Sequence, residues 1–193
     1  MISTKHLEQL IEAAVFSSDK PLSIKKIKDQ LLPHYGIATP QIKQALINIE
    51  KHYRPRGVNL VEVASGFQFQ IKAEHNEDIA LLTEEKPQKY SRALLETLAL
   101  IAYKQPITRS EIEDVRGVAV SSHIIKTLIE REWIKILGYK EVPGRPSMYG
   151  TTKEFLDYFS LKSLDQLPDL IPIEESSIVN GTMQDIIPFN IKK

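Results

Sequence analysis

Five histidines, His6, His34, His52, His75 and His123, are the side chains of this chain best suited to holding a metal ion. No two of them stand one helical turn apart, and no acidic cluster accompanies them. Zinc sites gather ligands from such close spacings, so no metal and no cofactor is expected. Glu84 and Glu85 form an adjacent carboxylate pair, the raw material of acid–base work. They lie in a polar run with lysines and a proline, where no cleft would shift their pKa values. There is no cysteine to act as a nucleophile or thiolate ligand. With eight glycines, the chain contains no Gly-x-Ser-x-Gly elbow, no Walker loop and no Gly-x-Gly-x-x-Gly. No catalytic residue is assigned, and the chain is not expected to be an enzyme.

What remains is the chemistry of recognition, and two stretches carry it. The first is Val142-Pro143-Gly144-Arg145-Pro146, followed by Met148 and Tyr149. Two prolines fix φ and the glycine between them allows a tight reversal. Arg145 and Tyr149 are residue types that anchor protein interfaces. The same residues also make a stiff hairpin turn and need do nothing else; both readings stand. The second stretch is Pro40–Arg54, where Lys43, Lys51 and Arg54 outweigh Glu50 and where Gln41, Gln44 and Asn48 are polar enough to touch bases. A solvated helix face is the preferred explanation, given the neutral chain. The whole chain of 193 residues carries 25 basic and 25 acidic side chains and is formally neutral. Dedicated DNA binders draw affinity from phosphate neutralisation and show a positive excess, so DNA contact is expected to be weak or indirect.

The elements that must position these residues follow from apolar spacing and stop signals. Leu7, Leu10, Ile11, Ala14 and Val15 form one helical stripe after Ser3 or Thr4 as cap. Ser23 opens a second helix with Ile24, Ile27 and Leu31. Thr39-Pro40 opens a third with Ile42, Ala45, Leu46, Ile49 and Tyr53, the threonine read as its cap. Leu60–Ala64 and Phe67–Ile71 flank Ser65-Gly66 as a hairpin. From Ser91 the order repeats. A helix carries Leu94, Leu95, Leu98, Ile101 and Ala102, and Gln105-Pro106 stops it. Thr108-Arg109-Ser110-Glu111 is a capping box, Ile112 and Val115 are placed inward, and Gly117 suits a left-handed end. A helix from about Ser121 to Glu132 turns Ile125, Leu128 and Ile129 inward. Ile134–Tyr139 and Met148–Thr151 are strands, and Thr151-Thr152-Lys153-Glu154 caps a closing helix with Phe155, Leu156 and Phe159.

Three helices followed by a hairpin is the order of a winged-helix domain, met here twice at an offset of 84 to 85 residues. The expected fold is mainly α with small β-hairpins (α+β): an N-terminal winged-helix domain over 1–83, a linker over 84–90, a C-terminal winged-helix domain over 91–160, and a tail over 161–193. Leu161, Leu164 and Leu167 are placed to dock a short turn, and disorder or partner dependence is expected beyond Ile173. A domain of about 80 residues buries only a little over ~60% of its unfolded surface. The first wing alternates Phe67 and Phe69 with glutamines near Tyr53. A homodimer through Tyr53, Phe67 and Phe69 is therefore expected. No secretory leader and no apolar run of the ~20 residues that span a bilayer is present, so no membrane contact is expected. The absence of cysteine fits the cytoplasm. Two function classes follow: an adaptor that binds proteins, or a winged-helix transcription regulator that binds DNA.

Specific runs decide between them by resemblance. Ser91 to Thr108, Val115-Arg116-Gly117-Val118, Glu141 to Pro146, Tyr149 to Leu156 and Leu161 to Pro168 closely resemble the bacterial segregation and condensation protein B family. The first half is similar through Phe16, Pro21-Leu22-Ser23 and Gly57 to Val63. The resemblance covers roughly residues 5–170. It departs at Ala119-Val120-Ser121-Ser122-His123, where relatives often carry Asn or Asp with small polar residues. The resemblance implies tandem winged helices dimerising through the first domain, without catalytic activity. It implies a kleisin partner, segregation and condensation protein A, and through it a structural-maintenance-of-chromosomes ATPase. The implied role is chromosome condensation and segregation at the nucleoid in the cytoplasm. Tyr103, Arg145 and Tyr149 are the expected kleisin contacts.

Overall fold

The computed structural model of the chain describes residues 2–82 and 90–169. The expected linker lies outside the described residues except for Tyr90, as does the tail beyond Asp169.

Helix α1, Thr4–Phe16, begins where the Ser3 hydroxyl accepts the His6 N–H at 3.2 Å. Its stripe buries Leu7, Ile11 and Val15. Helix α2, Ile24–Lys26, is capped by Ser23 and runs into a widened turn over Ile27–Leu31, closed by Leu32 N–H on the Ile27 carbonyl. Helix α3, Thr39–Tyr53, starts one residue earlier than its Thr39 cap signal implies. The Gln41 carboxamide reaches back to accept the Ala38 N–H at 2.9 Å, so Thr39 is already helical. Ile42, Ala45, Leu46 and Ile49 close on α1. The first wing pairs β1, Val58–Val63, with β2, Gly66–Ile71, antiparallel, with Leu60 opposite Phe69. A short turn and helix α4, Asn76–Ala80, follow.

The second unit repeats the plan. Helix α5, Arg92–Lys104, is capped by Ser91. Strand β3, Ile107–Thr108, leads into α6, Arg109–Arg116, which ends on left-handed Gly117 at φ 68°. Helix α7, Ser122–Glu130, precedes the wing strands β4, Ile134–Tyr139, and β5, Ser147–Thr151. Thr152 caps α8, Lys153–Tyr158. Leu94, Leu98, Ile101, Ile112, Leu128 and Phe155 form a second core separate from the first. Trp133 joins it, in ring contact with Tyr90, Tyr158 and Phe159. Leu161, Leu164 and Leu167 pack against this core, as their spacing predicts.

Two inward placements are corrected. Val115 is 51% exposed and Ile129 is 40% exposed. Each sits on the correct periodicity, but α6 buries only Ile112, and on α7 the burial is taken by Ile125 and Leu128. The helices are too short and too peripheral to cover both edges of their stripes.

One contact recurs in both halves and the sequence does not announce it. Leu22 and Phe67 exchange backbone hydrogen bonds at 2.9 Å, and Ile107 likewise lies opposite Tyr149 as β3 joins the second sheet, ordered β3-β5-β4. The residue after each helix-stopping proline thus fastens the wing to its helices. The two units also meet. At the tip of the first wing, Ala64 N–H donates to the Leu161 carbonyl and Ser65 N–H to Asp157 Oδ1, each at 2.9 Å. Lys162 pairs with Glu62, and the Ser160 hydroxyl donates to Gln70 Oε1 at 3.3 Å.

The first fastening fixes one residue type absolutely. A methyl group on Gly66, at φ 145°, would lie 2.3 Å from the Leu22 backbone. Backbone cannot yield there as a flexible side chain would. Gly66→Ala should therefore destabilise the first unit by more than ~2 kcal/mol, read as a lower urea midpoint, whereas Gly36→Ala, with open space around it, should cost less.

Candidate partner-binding surfaces

Arg145 stands at the tip of the second wing, and the geometry leading to it explains why. Lys140 N–H bonds the Pro146 carbonyl and Arg145 N–H the Val142 carbonyl, closing a tight turn in which Arg145 itself adopts φ 38°. Its guanidinium touches Glu141 at 3.1 Å, with both side chains exposed. Such a pair contributes little to stability, so Arg145 is free to be exchanged for a partner's carboxylate.

Below the tip, the wing is tied to the helices by a charge cluster. Lys140 Nζ donates to Glu111 Oε1 at 2.6 Å, while Glu111 Oε2 accepts the Thr108 N–H and hydroxyl at 2.8 Å each. The Lys140 hydrogen bond, then the two from Thr108, pull the Glu111 pKa down to about 2.

Tyr149 is half-buried in β5, opposite both Ile107 and Ile136, and packs on the second core. Its counterpart in the first wing is Phe67, opposite Leu22 and likewise packed on its core. Tyr103 lies near the end of α5 and donates its hydroxyl to the Pro168 carbonyl at 2.6 Å; burial raises its pKa. Next to it, Gln105 bonds Thr151 at the base of β5, the opposite end from Arg145. Tyr103 and Tyr149 thus flank the base and middle of the wing, and Arg145 stands apart at its tip.

In the first unit the structure brings Tyr53 and Phe69 together, with centroids 4.7 Å apart, and places Phe16 at 5.7 Å from Phe69. Tyr53 donates its hydroxyl to Glu12 at 2.6 Å, a bond that raises the tyrosine's pKa. Phe16 is 69% exposed, and Ile71, on the strand that carries Phe69, is half exposed. Phe16 is the surface residue that sequence reasoning left out of this site. The signal was present, since Phe16 falls just past the Leu7–Val15 stripe at the helix end, where no core position requires a phenylalanine.

The polar side chains of α3 that could read bases are already engaged. Gln41 caps its own helix, Gln44 donates to Asn48, Asn48 donates to Glu8, and Arg54 pairs with Glu50. On α7, Lys126 pairs with Glu130. Among the described residues no group of three or more His, Asp or Glu could hold a metal, and no helix is long and apolar enough to cross a membrane.

Two units of three helices and a fastened hairpin, in series, define a tandem winged-helix protein. The family model described as "Segregation and condensation complex subunit ScpB" matches residues 9–170, and the chain belongs to that family. A segregation and condensation protein B homolog of Coxiella burnetii is 53% identical over 184 residues, covering 95% of this chain and 88% of its own length. The crystal structure of ScpB from Mycobacterium tuberculosis is 26% identical and covers 81% of this chain and 96% of its own, at a TM-score of 0.39. A dimer of a ScpB N-terminal domain complexed with a ScpA peptide is 26% identical and covers 41% of this chain and 96% of its own, at 0.37.

The Glu111 cluster generates a pH dependence with a definite sign. A carboxyl whose folded pKa is depressed stabilises the fold above its ordinary pKa and loses that contribution as pH falls through the folded value. The window here runs from about 4.5 down to about 2. The carboxylate is well exposed, so the effect is discounted for solvent. Glu111→Gln should lower the melting temperature by roughly 2–4 °C at pH 7, and the difference from wild type should vanish near pH 2. An undiminished gap at pH 2 would assign the loss to packing instead of charge.

Proposed function

We propose that this condensation-complex subunit is a non-enzymatic adaptor that works in the cytoplasm at the nucleoid. It dimerises through its first winged-helix unit and holds the kleisin subunit, segregation and condensation protein A, with its second. The kleisin in turn links it to a structural-maintenance-of-chromosomes ATPase. The observation that carries the reading is the family match over residues 9–170, which includes both wings, the second core and all of the first core but Leu7. ScpA is also the partner named for a complex of a ScpB N-terminal domain, the counterpart of the first unit; the assignment of the kleisin to the second unit rests on the geometry of its wing. The domain division, 1–83, 84–90, 91–160 and 161–193, belongs to the same proposal. The two separate cores support it.

Arg145 is the proposed anchor at the wing tip, with Tyr103 and Tyr149 at its base and middle. A stiff tip loses little entropy on docking, and an exposed arginine with a weakly held partner is available for exchange. Tyr149 has a second duty in the sheet, so only Arg145 separates binding from folding. Tyr53, Phe67 and Phe69, extended by Phe16, are proposed as the dimer face, with Phe67 buttressing the platform from the core side.

The competing reading, a transcription regulator, has the engaged side chains of α3 against it. Free protein should give only weak, salt-sensitive DNA binding without sequence preference, in the range of roughly 10⁻⁴–10⁻⁶ M. A nanomolar sequence-specific complex at physiological salt would establish the regulator.

Two substitutions test the adaptor. Arg145→Ala should leave the melting temperature within about 1–2 °C of wild type and weaken kleisin binding at least ~tenfold by calorimetry. Unchanged binding with a lowered melting temperature would make the residue structural. Phe16→Asp removes an exposed ring, so it should leave the monomer folded while light scattering falls from twice the monomer mass to the monomer mass. Retention of the dimer would place the interface elsewhere.

A further inference from the structure

Four lysines stand in one run of the first unit without an ion pair. Lys20, Lys25, Lys26 and Lys28 fall between positions 20 and 28, with no acidic residue among them. The last three lie on α2 and the widened turn that continues it. All four are exposed with the second unit in place. Elsewhere basic side chains are taken up: Arg92, Arg109, Arg116, Lys140 and Arg145 of the second unit each meet a carboxylate. In the first unit the ion pairs belong to Arg54, Lys72 and His75, and to Glu62 with Lys162. Among the described residues the lysines of this run form none, and neither do Asp19 and Asp29 at its ends. Lys43 of α3, exposed and likewise outside any ion pair, lines one groove with Ile24 of α2 and adds a fifth charge beside the run.

The surroundings of these charges select the partner. Protein interfaces are anchored by aromatic and apolar side chains and are depleted in lysine. A helix that lies on a membrane surface needs an exposed apolar face. This stretch offers neither. Leu22 and Ile27 are buried, Ile24 lines the groove, and no large apolar side chain between Ser17 and His34 is exposed. Lysine is a compact, hydrated point charge that binds phosphate without a shaped fork. A backbone of repeated phosphates needs only such charges, and affinity follows the number neutralised. In helix-turn-helix docking, the helix before the recognition helix crosses the nucleic-acid backbone. Helix α2 holds that position ahead of α3. The amide side chains of α3 are bonded within the fold, so the contact is to the backbone and carries no sequence preference.

We propose that Lys20, Lys25, Lys26 and Lys28, with Lys43 beside them, form a sequence-independent binding surface for the phosphate backbone of duplex DNA. The surface belongs to the first unit and Arg145 to the second wing, so DNA and a protein partner are held by different units. The proposal concerns the free protein and does not rest on the kleisin reading.

Fluorescence anisotropy of a random-sequence DNA duplex, titrated with the full chain from ~50 to ~200 mM salt, tests this. Lys25→Gln/Lys26→Gln/Lys28→Gln should weaken binding at least ~tenfold at ~50 mM salt and reduce the slope of log K against log salt by about 2–3. Lys25→Arg/Lys26→Arg/Lys28→Arg keeps the charge and should bind as wild type does. Lys20→Gln/Lys43→Gln leaves α2 untouched and should give a smaller loss in the same direction. Lys104→Gln/Lys135→Gln/Lys153→Gln removes three charges from exposed positions of the second unit and should change affinity less than ~twofold. Equal losses in the two glutamine triples would make binding a matter of net charge and overturn the proposal. So would wild-type protein that fails to bind the duplex at ~50 mM salt. Binding to phosphatidylglycerol vesicles in preference to the duplex would overturn it too, and make the surface a membrane contact.

Discussion

Everything in this molecule depends on how a two-stranded wing, too small to be stable alone, is fastened to its helices. An isolated hairpin is marginal in water. In both halves the answer is one residue placed after a helix-stopping proline. Leu22 trades two backbone hydrogen bonds with Phe67, and Ile107 pairs with Tyr149. The fastening adds a single bridge to the first wing and a third strand to the second, and each sets an aromatic side chain against the core beneath. It also sets its own requirements. Gly66 has no room for a side chain because the Leu22 backbone lies where one would go. The Thr108 cap and its Glu111 partner then carry the helix away from the second fastening and return a carboxylate to Lys140 on the wing. One short extended segment thus fixes the wing's position, the helix start and the charge that steadies the hairpin.

The same logic joins the two halves. A wing tip is where backbone donors run out of partners, and unpaired donors away from water are costly. Here Ala64 and Ser65 find theirs in the Leu161 carbonyl and the Asp157 carboxylate. One acceptor is a side chain on the last turn of α8 and the other a carbonyl three residues past its end, so the second unit supplies partners for both wing-tip donors. The contact also explains why the chain continues past α8 as it does: Leu161, Leu164 and Leu167 pack on the second core while Lys162 turns to Glu62 of the first wing.

Most of the fold was legible because its boundaries are chemical. Ser3, Ser23, Ser91, Thr108 and Thr152 each cap a helix through their own side chain, and Gly117 ends one in the left-handed region. Local signals of this kind need no tertiary information. The Thr39 cap signal failed because the helix starts one residue earlier, at Ala38, whose N–H is accepted by the Gln41 side chain reaching back from the first turn; spacing alone does not resolve that choice. Val115 and Ile129 failed for another reason: periodicity says which residues share a face, not whether anything covers it. Strand β3 was missed because two residues carry no alternation to read; only its partner, Tyr149, defines it. Of the candidate site, the exposure of Arg145 followed from the prolines around it. The meeting of Phe16 with Phe69 joins residues more than fifty positions apart, and no local pattern contains it.

The contrast between the two helices that follow the turns and the two wings bears on what a winged helix is used for here. Direct base readout needs free donors and acceptors on a helix entering the major groove. On α3 those groups are satisfied within the first unit, by Ala38, Asn48 and Glu8. Breaking such bonds to touch a base would exchange one hydrogen bond for another with little net gain. The wings are the opposite case. Ile136, Leu137, Tyr139 and Arg145 have apolar area or charge that nothing in the described residues fully covers. Burying that area against another polypeptide is favourable in proportion to its extent, and it requires no bond within the fold to be surrendered first. Exposed apolar area lies on the second wing, while the amide side chains of α3 are held in bonds within the fold.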